Sequence, residues 1–264
     1  MAELVYAHDS KSCGFIPCGF DSHHAHKHDS VSPIKTAKEP FKNIGSNHIL
    51  NFGGKKIFNM TNQQSISCNI AIYPPGAISK KAINISRKLK NKRGLFVLDG
   101  NNYYPHITIY MTEFPKKNIK SVKAVLRDIA VKTKPFLIKA DRYRQSKDGS
   151  VDMGFKRTKE ILVLHKKVIQ FINPLREGLI RPKDSARFKQ FSKQKQKNLR
   201  SYGYDNVSSQ FIPHLTFTKL EYPNKKILDT LSMLDFSFLV KEIGLFQSAE
   251  HGTCRKLIAR FRLS

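Results

Sequence analysis

Two short segments of the chain share a pattern of residue types that can carry out acid–base chemistry. Residues 104–110 read Tyr-Pro-His-Ile-Thr-Ile-Tyr, and residues 212–218 read Ile-Pro-His-Leu-Thr-Phe-Thr. Each segment has proline, histidine, an apolar residue, threonine and a second apolar residue in the same order. Because an imidazole has an unperturbed pKa of about 6.5, two histidines can supply both a base and an acid at neutral pH.

The spacing predicts that each histidine shares a strand face with a threonine, since residues i and i+2 of a strand point the same way. His106 would then lie beside Thr108, and His214 beside Thr216. Displacement at a phosphodiester needs a base for the incoming oxygen and an acid for the leaving oxygen, and hydroxyl groups can bind the non-bridging phosphate oxygens. The motifs contain no carboxylate, cysteine or further histidine to complete a metal site, so no metal ion or other cofactor is expected.

Residues near the two motifs are further candidates for the site. Lys219 ends the second motif strand and Arg255 begins the last strand, so both are predicted to bind phosphate, with a simply solvated side chain as the alternative. Thr112 and Thr218 are expected to continue the two motif faces as structural residues. The predicted site thus combines two imidazoles, two hydroxyls and two cations.

Two other histidines are assigned structural roles. His165 falls at helical spacing with Ile161 and Val168, which predicts a hydrogen-bonded core histidine rather than a catalyst. His251 precedes Gly252, which favours a role in a turn.

The segments around the motifs alternate between the periods of strands and helices. The order β-α-β-β-α-β-β-α-α-β-α-β-β predicts an α+β fold with mainly antiparallel sheets. Strands are predicted over residues 68–73, 95–98, 104–112, 135–140, 151–155, 211–220, 236–246 and 256–263, and helices over residues 78–89, 119–129, 161–175, 186–200 and 225–234.

The paired Pro-His-x-Thr strands resemble those of the 2H phosphoesterase superfamily, which includes the LigT-like 2′,5′-RNA ligases and the 2′,3′-cyclic phosphodiesterases. The resemblance covers residues 67–264, including the closing segment His251-Gly-Thr-Cys-Arg255. It implies a bilobal fold with two antiparallel sheets around a central cleft and helices outside. It also implies that the motif histidines act as general base and acid, in an order set by the reaction direction, and that the motif threonines bind phosphate.

The charge of the chain predicts a polyanionic partner. The sequence has 47 Lys+Arg against 20 Asp+Glu, a formal net charge of +27. Residues 1–59 hold 7 basic and 5 acidic residues, whereas residues 116–200 hold 25 and 7. Because this charge lies between the two motifs, RNA is favoured over a membrane surface. No apolar run approaches the roughly 20 residues of a membrane-spanning helix.

The predicted helix over residues 186–200 has many like charges, whose repulsion indicates RNA binding rather than a simply solvated face. Tyr202 and Tyr204 follow it and can stack on a base. Residues 176–210, called the insert below, match no element of the family pattern. The basic residues of the predicted helix are Arg187, Lys189, Lys193, Lys195, Lys197 and Arg200.

The first 59 residues show no sustained strand or helix period and are predicted to be a disordered extension before a domain over residues 60–264. Loose metal binding by the histidine cluster at residues 23–28 is a minor alternative for this segment. Residues 8–13 and 18–22 can be back-translated into strings resembling the anticodon arm and the T-arm of a tRNA gene. We therefore hypothesise that residues 1–27 are a conceptual translation and that the protein starts downstream, for example at Met60.

Three functions stay open on the sequence alone. The first is an enzyme that opens 2′,3′-cyclic phosphates at RNA ends or makes and breaks 2′,5′ linkages. The second is an RNA-binding protein on the same fold without turnover, and the third is a phosphodiesterase of small cyclic or 2′,5′-linked oligonucleotides. The cysteines show no zinc-like pairing and the N-terminus has no secretory pattern, so a cytoplasmic location is expected. The protein is also expected to be a monomer.

Overall fold

The computed structural model describes residues 64–264 of the protein. The predicted extension over residues 1–59, its histidine cluster, the boundary at residue 60 and the hypothesis about residues 1–27 lie outside the described residues. Within the described part, no helix is both long enough and apolar enough to cross a membrane.

Strands and helices alternate along this part of the chain and are joined by short 3-10 turns. In chain order they are β1 (Ser65–Ile72), α1 (Gly76–Lys90), β2 (Ile107–Pro115), α2 (Ile119–Val131), β3 (Phe136–Ile138), β4 (Ala140–Gln145), β5 (Ser150–Phe155), α3 (Lys159–Ile172), α4 (Pro182–Ala186), α5 (Lys193–Tyr202), β6 (His214–Lys219), β7 (Phe238–Val240), β8 (Glu242–Ser248) and β9 (Cys254–Arg262).

The described strands form three antiparallel sheets. The largest has the order β2-β1-β8-β9, the second has the order β4-β5-β6, and the third pairs β3 with β7. The predicted α+β fold with two antiparallel sheets is therefore confirmed, and the two-stranded sheet is an addition. The two motif strands belong to different sheets, β2 at the edge of the first and β6 at the edge of the second.

The helices pack on the sheets through the residues whose spacing predicted them. Helix α1 packs against β6, whereas α2 packs against α3 and β9, and α3 packs against β2. In α1 the buried residues include Ile78, Ala82, Ile85 and Leu89, which recur at helical spacing. Burial of these apolar stripes fixes both motif strands against the core.

Residues 95–98 do not form the predicted strand. Gly94 forms an isolated β-bridge with Leu220. After it, two side-chain hydroxyls bond backbone groups of the segment. Thr218 Oγ1 donates to the carbonyl oxygen of Phe96 at 2.7 Å, and the N–H of Leu98 donates to the hydroxyl of Ser86 at 2.8 Å. These hydroxyls occupy backbone groups of Phe96 and Leu98 that a neighbouring strand would need.

The predicted helix over residues 186–200 is broken in the structure. Helix α4 ends at Ala186, a 3-10 turn follows over Phe188–Gln190, and α5 begins at Lys193. Ser192 accepts a hydrogen bond from the N–H of Lys195 at 3.4 Å and so caps α5. Serine is a preferred N-cap because its hydroxyl satisfies a free N–H of the first turn.

A β-bulge follows the threonine of each motif. In the pairing of β1 with β2, the register shifts so that Ile109 is an extra residue between Thr108 and Tyr110. In the pairing of β5 with β6, the register shifts in the same way after Thr216, and Phe217 is the extra residue. Because strand side chains alternate between faces, one extra residue reverses the alternation for the rest of the strand.

One buried arginine joins separate parts of the insert. Arg176 is 4% exposed, and it donates from Nη1 to the carbonyl oxygen of Leu179 at 2.6 Å and from Nη2 to that of Arg200 at 2.8 Å. Tyr110 of β2 donates its hydroxyl to the carbonyl oxygen of Tyr202 at 2.5 Å. Arg176 therefore closes the insert, and Tyr110 attaches it to the first motif strand near the end of α5.

Gly203 ends α5 in the left-handed region, at φ +63°, and its N–H donates to the carbonyl oxygen of Leu199 at 2.8 Å. A Cβ at this position would overlap Oγ1 of Thr112 and lie 2.9 Å from the carbonyl oxygen of Leu179. Glycine is thus required both for the backbone conformation and for the close approach of the insert to β2.

We expect Gly203→Ala to destabilise the protein more than Gly178→Ala does. Gly178 has φ +78°, but a Cβ added there would meet no atom within 4 Å, so the matched variant carries only the left-handed cost of about 1–2 kcal/mol. Gly203→Ala adds the overlap with Thr112, and we expect a total loss of about 3 kcal/mol or more. Urea unfolding of both variants measures the difference, and equal losses would contradict the docking of the insert on β2.

Candidate active site

The two motif histidines make the same hydrogen bond to the backbone two residues earlier. The Nδ1–H of His106 donates to the carbonyl oxygen of Tyr104 at 2.8 Å, and that of His214 donates to the carbonyl oxygen of Ile212 at 2.7 Å. Since a carbonyl only accepts, each neutral imidazole has its proton on Nδ1 and a lone pair on Nε2. Each Nε2 can therefore accept a proton or, once protonated, donate one.

The environments of the two imidazoles differ. His106 is 9% exposed, whereas His214 is only half-buried. Burial lowers the pKa of His106 to about 4, and the charge of His214 lowers it as well, against opposing effects from the backbone of Tyr104 and Gly252. His106 is therefore neutral at pH 7, and the two imidazoles lie within electrostatic reach of each other.

The hydroxyl of Thr108 is oriented by a buried amide. Asn69 of β1 is fully buried, and its Nδ2 donates to Oγ1 of Thr108 at 2.9 Å. Because the threonine oxygen already accepts this bond, its O–H is free to donate to another acceptor. Thr108 is half-buried.

A buried carboxyl accompanies the second motif. Asp152 of β5 lies opposite Thr216 in the strand pairing and is 6% exposed. Burial raises the pKa of Asp152, and the charge of His214 opposes that rise. Asp152 thus lies beside the second motif, within electrostatic reach of its imidazole.

Asn69 and Asp152 were not among the site residues predicted from the sequence. Each is a single polar residue inside an apolar strand segment, Cys68–Tyr73 for Asn69 and Val151–Phe155 for Asp152. A polar residue in such a segment needs a hydrogen-bond partner, and this was the available signal. The partner itself is set by strand pairing, which the sequence does not give.

The second motif opens into a cleft of about 860 Å³. Its volume is near the upper end of the roughly 300–1,000 Å³ typical of small-ligand sites. Gly252, whose backbone acts on the pKa of His106, lines the cleft together with His214. Other lining residues near the motifs are Met111, Asp148, Asp152, Lys219 and His251.

The bulges decide which residues of the motif strands line this cleft. Thr112 and Thr218 are fully buried and do not continue the motif faces, contrary to the prediction, although both are structural. Met111 and Lys219, each five residues after its motif histidine, line the cleft instead, because the extra residue shifts the alternation by one position. Lys219 therefore reaches the cleft only because of the extra residue Phe217 in β6.

Lys219 forms an ion pair across the cleft wall. Its Nζ lies 3.2 Å from Oδ2 of Asp148, in the turn between β4 and β5. Partial burial raises the pKa of Asp148. The hydrogen bond from Ser146 and the ion pair with Lys219 outweigh this effect and lower the pKa to about 2. The carboxylate is charged at pH 7, so it partly balances the lysine.

Arg255 lies in a different place from the other predicted site residues. It lines a second pocket of about 590 Å³, together with Lys90, Phe96 and Tyr103. The structure therefore brings Lys219 into the cleft of His214, whereas Arg255 is not among the residues that line it.

The insert forms another wall of the cleft, with Arg181, Lys183, Arg187 and Lys195 among its lining residues. Tyr204 does not contribute an exposed ring. It is 3% exposed and packs edge-on against Tyr110, with ring centroids 6.2 Å apart. The prediction that Tyr204 stacks on a base is therefore wrong.

The remaining histidines of the described part have the predicted structural roles. His165 donates from Nδ1 to the carbonyl oxygen of Ile109 at 2.8 Å and stacks on Phe211 with centroids 3.8 Å apart. His251 lies in the turn Glu250–Gly252 at φ +56°. Among residues 64–264, no group of three or more His, Cys, Asp or Glu side chains could hold a metal ion.

Comparison with known proteins shows the fold. No family model and no curated protein matches the chain. TT0787 of Thermus thermophilus aligns with a TM-score of 0.51 over 75% of this chain and 98% of that chain, at 14% identity. LigT of E. coli complexed with 3′-AMP aligns with a TM-score of 0.49 over 76% and 99%, at 17% identity, and a crystal structure of a phosphoesterase with 0.48 over the same shares, at 16% identity. The chain thus shares the fold of TT0787.

We expect the midpoint of the His106 titration to rise in a His214→Gln variant. The charge of His214 lowers the pKa of His106, so its removal must shift the midpoint upward from about 4. Proton NMR of the imidazole Cε1–H signals measures this shift. The signal of His165, whose pKa burial lowers to about 4 without a contribution from His214, is the internal control. An unchanged His106 midpoint would contradict the proximity of the two imidazoles.

Proposed function

We propose that the protein is a phosphoesterase of the 2H type that acts on RNA ends, opening 2′,3′-cyclic phosphates or making and breaking 2′,5′ linkages. The observation that carries this proposal is the matched pair of imidazoles. Each motif histidine binds the carbonyl two residues earlier through Nδ1, which leaves Nε2 for proton transfer. Each is also followed by a half-buried threonine hydroxyl. This set of groups fits in-line displacement at a phosphodiester.

When a cyclic phosphate is opened, His106 acts as the general base. It is neutral at pH 7 and takes a proton from water as the water oxygen bonds to phosphorus. The bond between phosphorus and the ribose O3′ breaks, His214 donates a proton to that oxygen, and a 2′-phosphate remains. In the reverse direction the two roles are exchanged.

The threonines bind the non-bridging oxygens of the phosphate. Thr108 can donate its O–H because Asn69 already occupies its oxygen. Thr216, on β6 of the other sheet, is half-buried like Thr108. Lys219 adds a positive charge at the cleft of His214 and stabilises the negative charge that develops in the transition state.

RNA is the proposed substrate because positive charge is concentrated at the cleft and in the segment between the motifs. Residues 116–200 hold 25 basic and 7 acidic residues. Cys68 and Cys254 are buried free thiols, which agrees with the proposed cytoplasmic location. That the protein acts as a monomer stays a prediction.

The burial of His106 favours a second candidate function. At 9% exposure its imidazole offers little surface to a substrate, and an RNA-binding protein on this fold would not need it accessible. Turnover separates the two functions, because only the enzyme depends on the imidazoles.

We expect His106→Asn and His214→Asn each to lower turnover of an oligoribonucleotide with a 2′,3′-cyclic phosphate by about 10²–10⁴-fold. Binding of the same oligonucleotide should persist, since asparagine removes only proton transfer. Product formation by chromatography and binding by fluorescence anisotropy give the two measurements. Lys117→Gln, at an exposed ion pair with Glu177, is the control and should keep wild-type turnover. Full activity in both histidine variants would end the proposal.

We expect the acid limb of kcat/KM to lie near pH 4. This constant reports the free enzyme, in which protonation of His106 removes the base as the pH falls through its pKa of about 4. The acid limb of kcat should lie at higher pH, because the negative phosphate favours the protonated imidazole in the complex. Initial rates across the acid range test this order. An acid limb of kcat/KM at the ordinary imidazole value of about 6.5 would exclude His106 as the base.

A further inference from the structure

The wall of the cleft formed by the insert has more basic groups than its own carboxylates pair with. Arg181 and Asp184 form an ion pair whose side chains are only 4% and 3% exposed. Lys195 pairs with Asp205 at 2.8 Å. Two further cations of this wall lie outside these close pairs, Lys183 and Arg187.

Neither of these two cations is well neutralised. Arg187 reaches Asp184 only at 4.0 Å, and Arg181 already pairs with that carboxylate. Lys183 has no carboxylate within 4.0 Å in the part of the chain that the structure describes. Partial desolvation and the neighbouring charges of Arg181 and Arg187 lower the pKa of Lys183. An anion at this place would relieve the mutual repulsion of the three cations.

The buried guanidinium of Arg181 is also incompletely satisfied. Its Nε and Nη1 have no hydrogen-bond partner among the described residues, although Arg181 is only 3% exposed. The great majority of buried N–H groups in proteins are hydrogen-bonded. The N–H groups of a guanidinium match the geometry of phosphate oxygens. The missing partner and the surplus charge lie at the same wall, and both point to an anionic oxygen ligand.

We propose that Arg181, Lys183 and Arg187 bind a second phosphate of a single-stranded RNA substrate. The inference rests on the proposed function and names its substrate class. His214 and Lys219 line the same cleft as the three cations, so one strand can place its terminal cyclic phosphate at His214 and an upstream phosphate at the insert. A cyclic mononucleotide has no second phosphate to place there, whereas an RNA strand has one at each linkage.

The test compares substrates that differ in their phosphates. These are a nucleoside 2′,3′-cyclic phosphate, the same compound with a 5′-phosphate, and di- and trinucleotides ending in a 2′,3′-cyclic phosphate. The variants are Lys183→Gln and Arg187→Gln, both at exposed positions. Lys189→Gln and Lys193→Gln are matched controls, since both lysines are exposed on the same insert but do not line the cleft.

We expect each cleft variant to lose about tenfold in kcat/KM on the di- and trinucleotides, the effect of one charge-assisted hydrogen bond. The cyclic mononucleotide and the control variants should show no loss. Each cleft variant should also lower the slope of log affinity against log salt for the trinucleotide by about 0.7, as expected for one phosphate contact on a single strand.

Other outcomes would overturn the inference. An equal loss on the mononucleotide and the trinucleotide would show that no separate phosphate is bound at the insert. A 5′-phosphorylated mononucleotide as good as the trinucleotide would show a small nucleotide rather than an RNA strand. If the wild-type protein turns over none of the substrates, the proposed function is wrong, and anisotropy binding of the trinucleotide still decides on the subsite: unchanged affinity in both cleft variants would exclude it.

Discussion

The site depends on one extra residue in each motif strand. A regular strand starting at either motif histidine would place residues i, i+2 and i+4 on one face. The bulge residues Ile109 and Phe217 interrupt that alternation directly after the motif threonines. The face of the imidazole and hydroxyl therefore ends after two residues, and the next threonine turns into the core. Lys219 replaces it at the cleft, which gives the second motif a cation where a regular strand would give a neutral hydroxyl.

The two halves of the site are nearly equivalent in backbone and different in environment. Both imidazoles bind the carbonyl two residues earlier, but His106 is buried and His214 is not. The neighbouring hydroxyls differ as well, with the amide of Asn69 at one and the carboxyl of Asp152 at the other. An equivalent pair suits a reaction that can run in both directions. The deeper burial of His106 lowers its pKa and keeps that imidazole neutral in the free protein.

The sequence predicted the parts of the fold that depend on local periodicity. Helices at the spacing of residues such as Ile78 and Ala82 formed as expected, because a single apolar stripe determines their packing. The strand over residues 95–98 did not form. The hydroxyls of Ser86 and Thr218, which lie outside the segment, bond the backbone groups that a neighbouring strand would need. The bulges and the partners of the motif threonines were missed for a related reason: register is set by strand pairing, and strand pairing is not local.

The guanidinium of Arg176 has a consequence for the order in which the molecule assembles. It closes the insert by binding carbonyl oxygens at residues 179 and 200, and its Nε donates to the side chain of Asn173, which also accepts from Tyr110 of β2. The insert therefore cannot acquire its final shape before β2 is in place, and a local opening of the insert must break these bonds. A ligand bound on its inner wall would raise the cost of that opening, which couples occupancy of the cleft to the local stability of the insert.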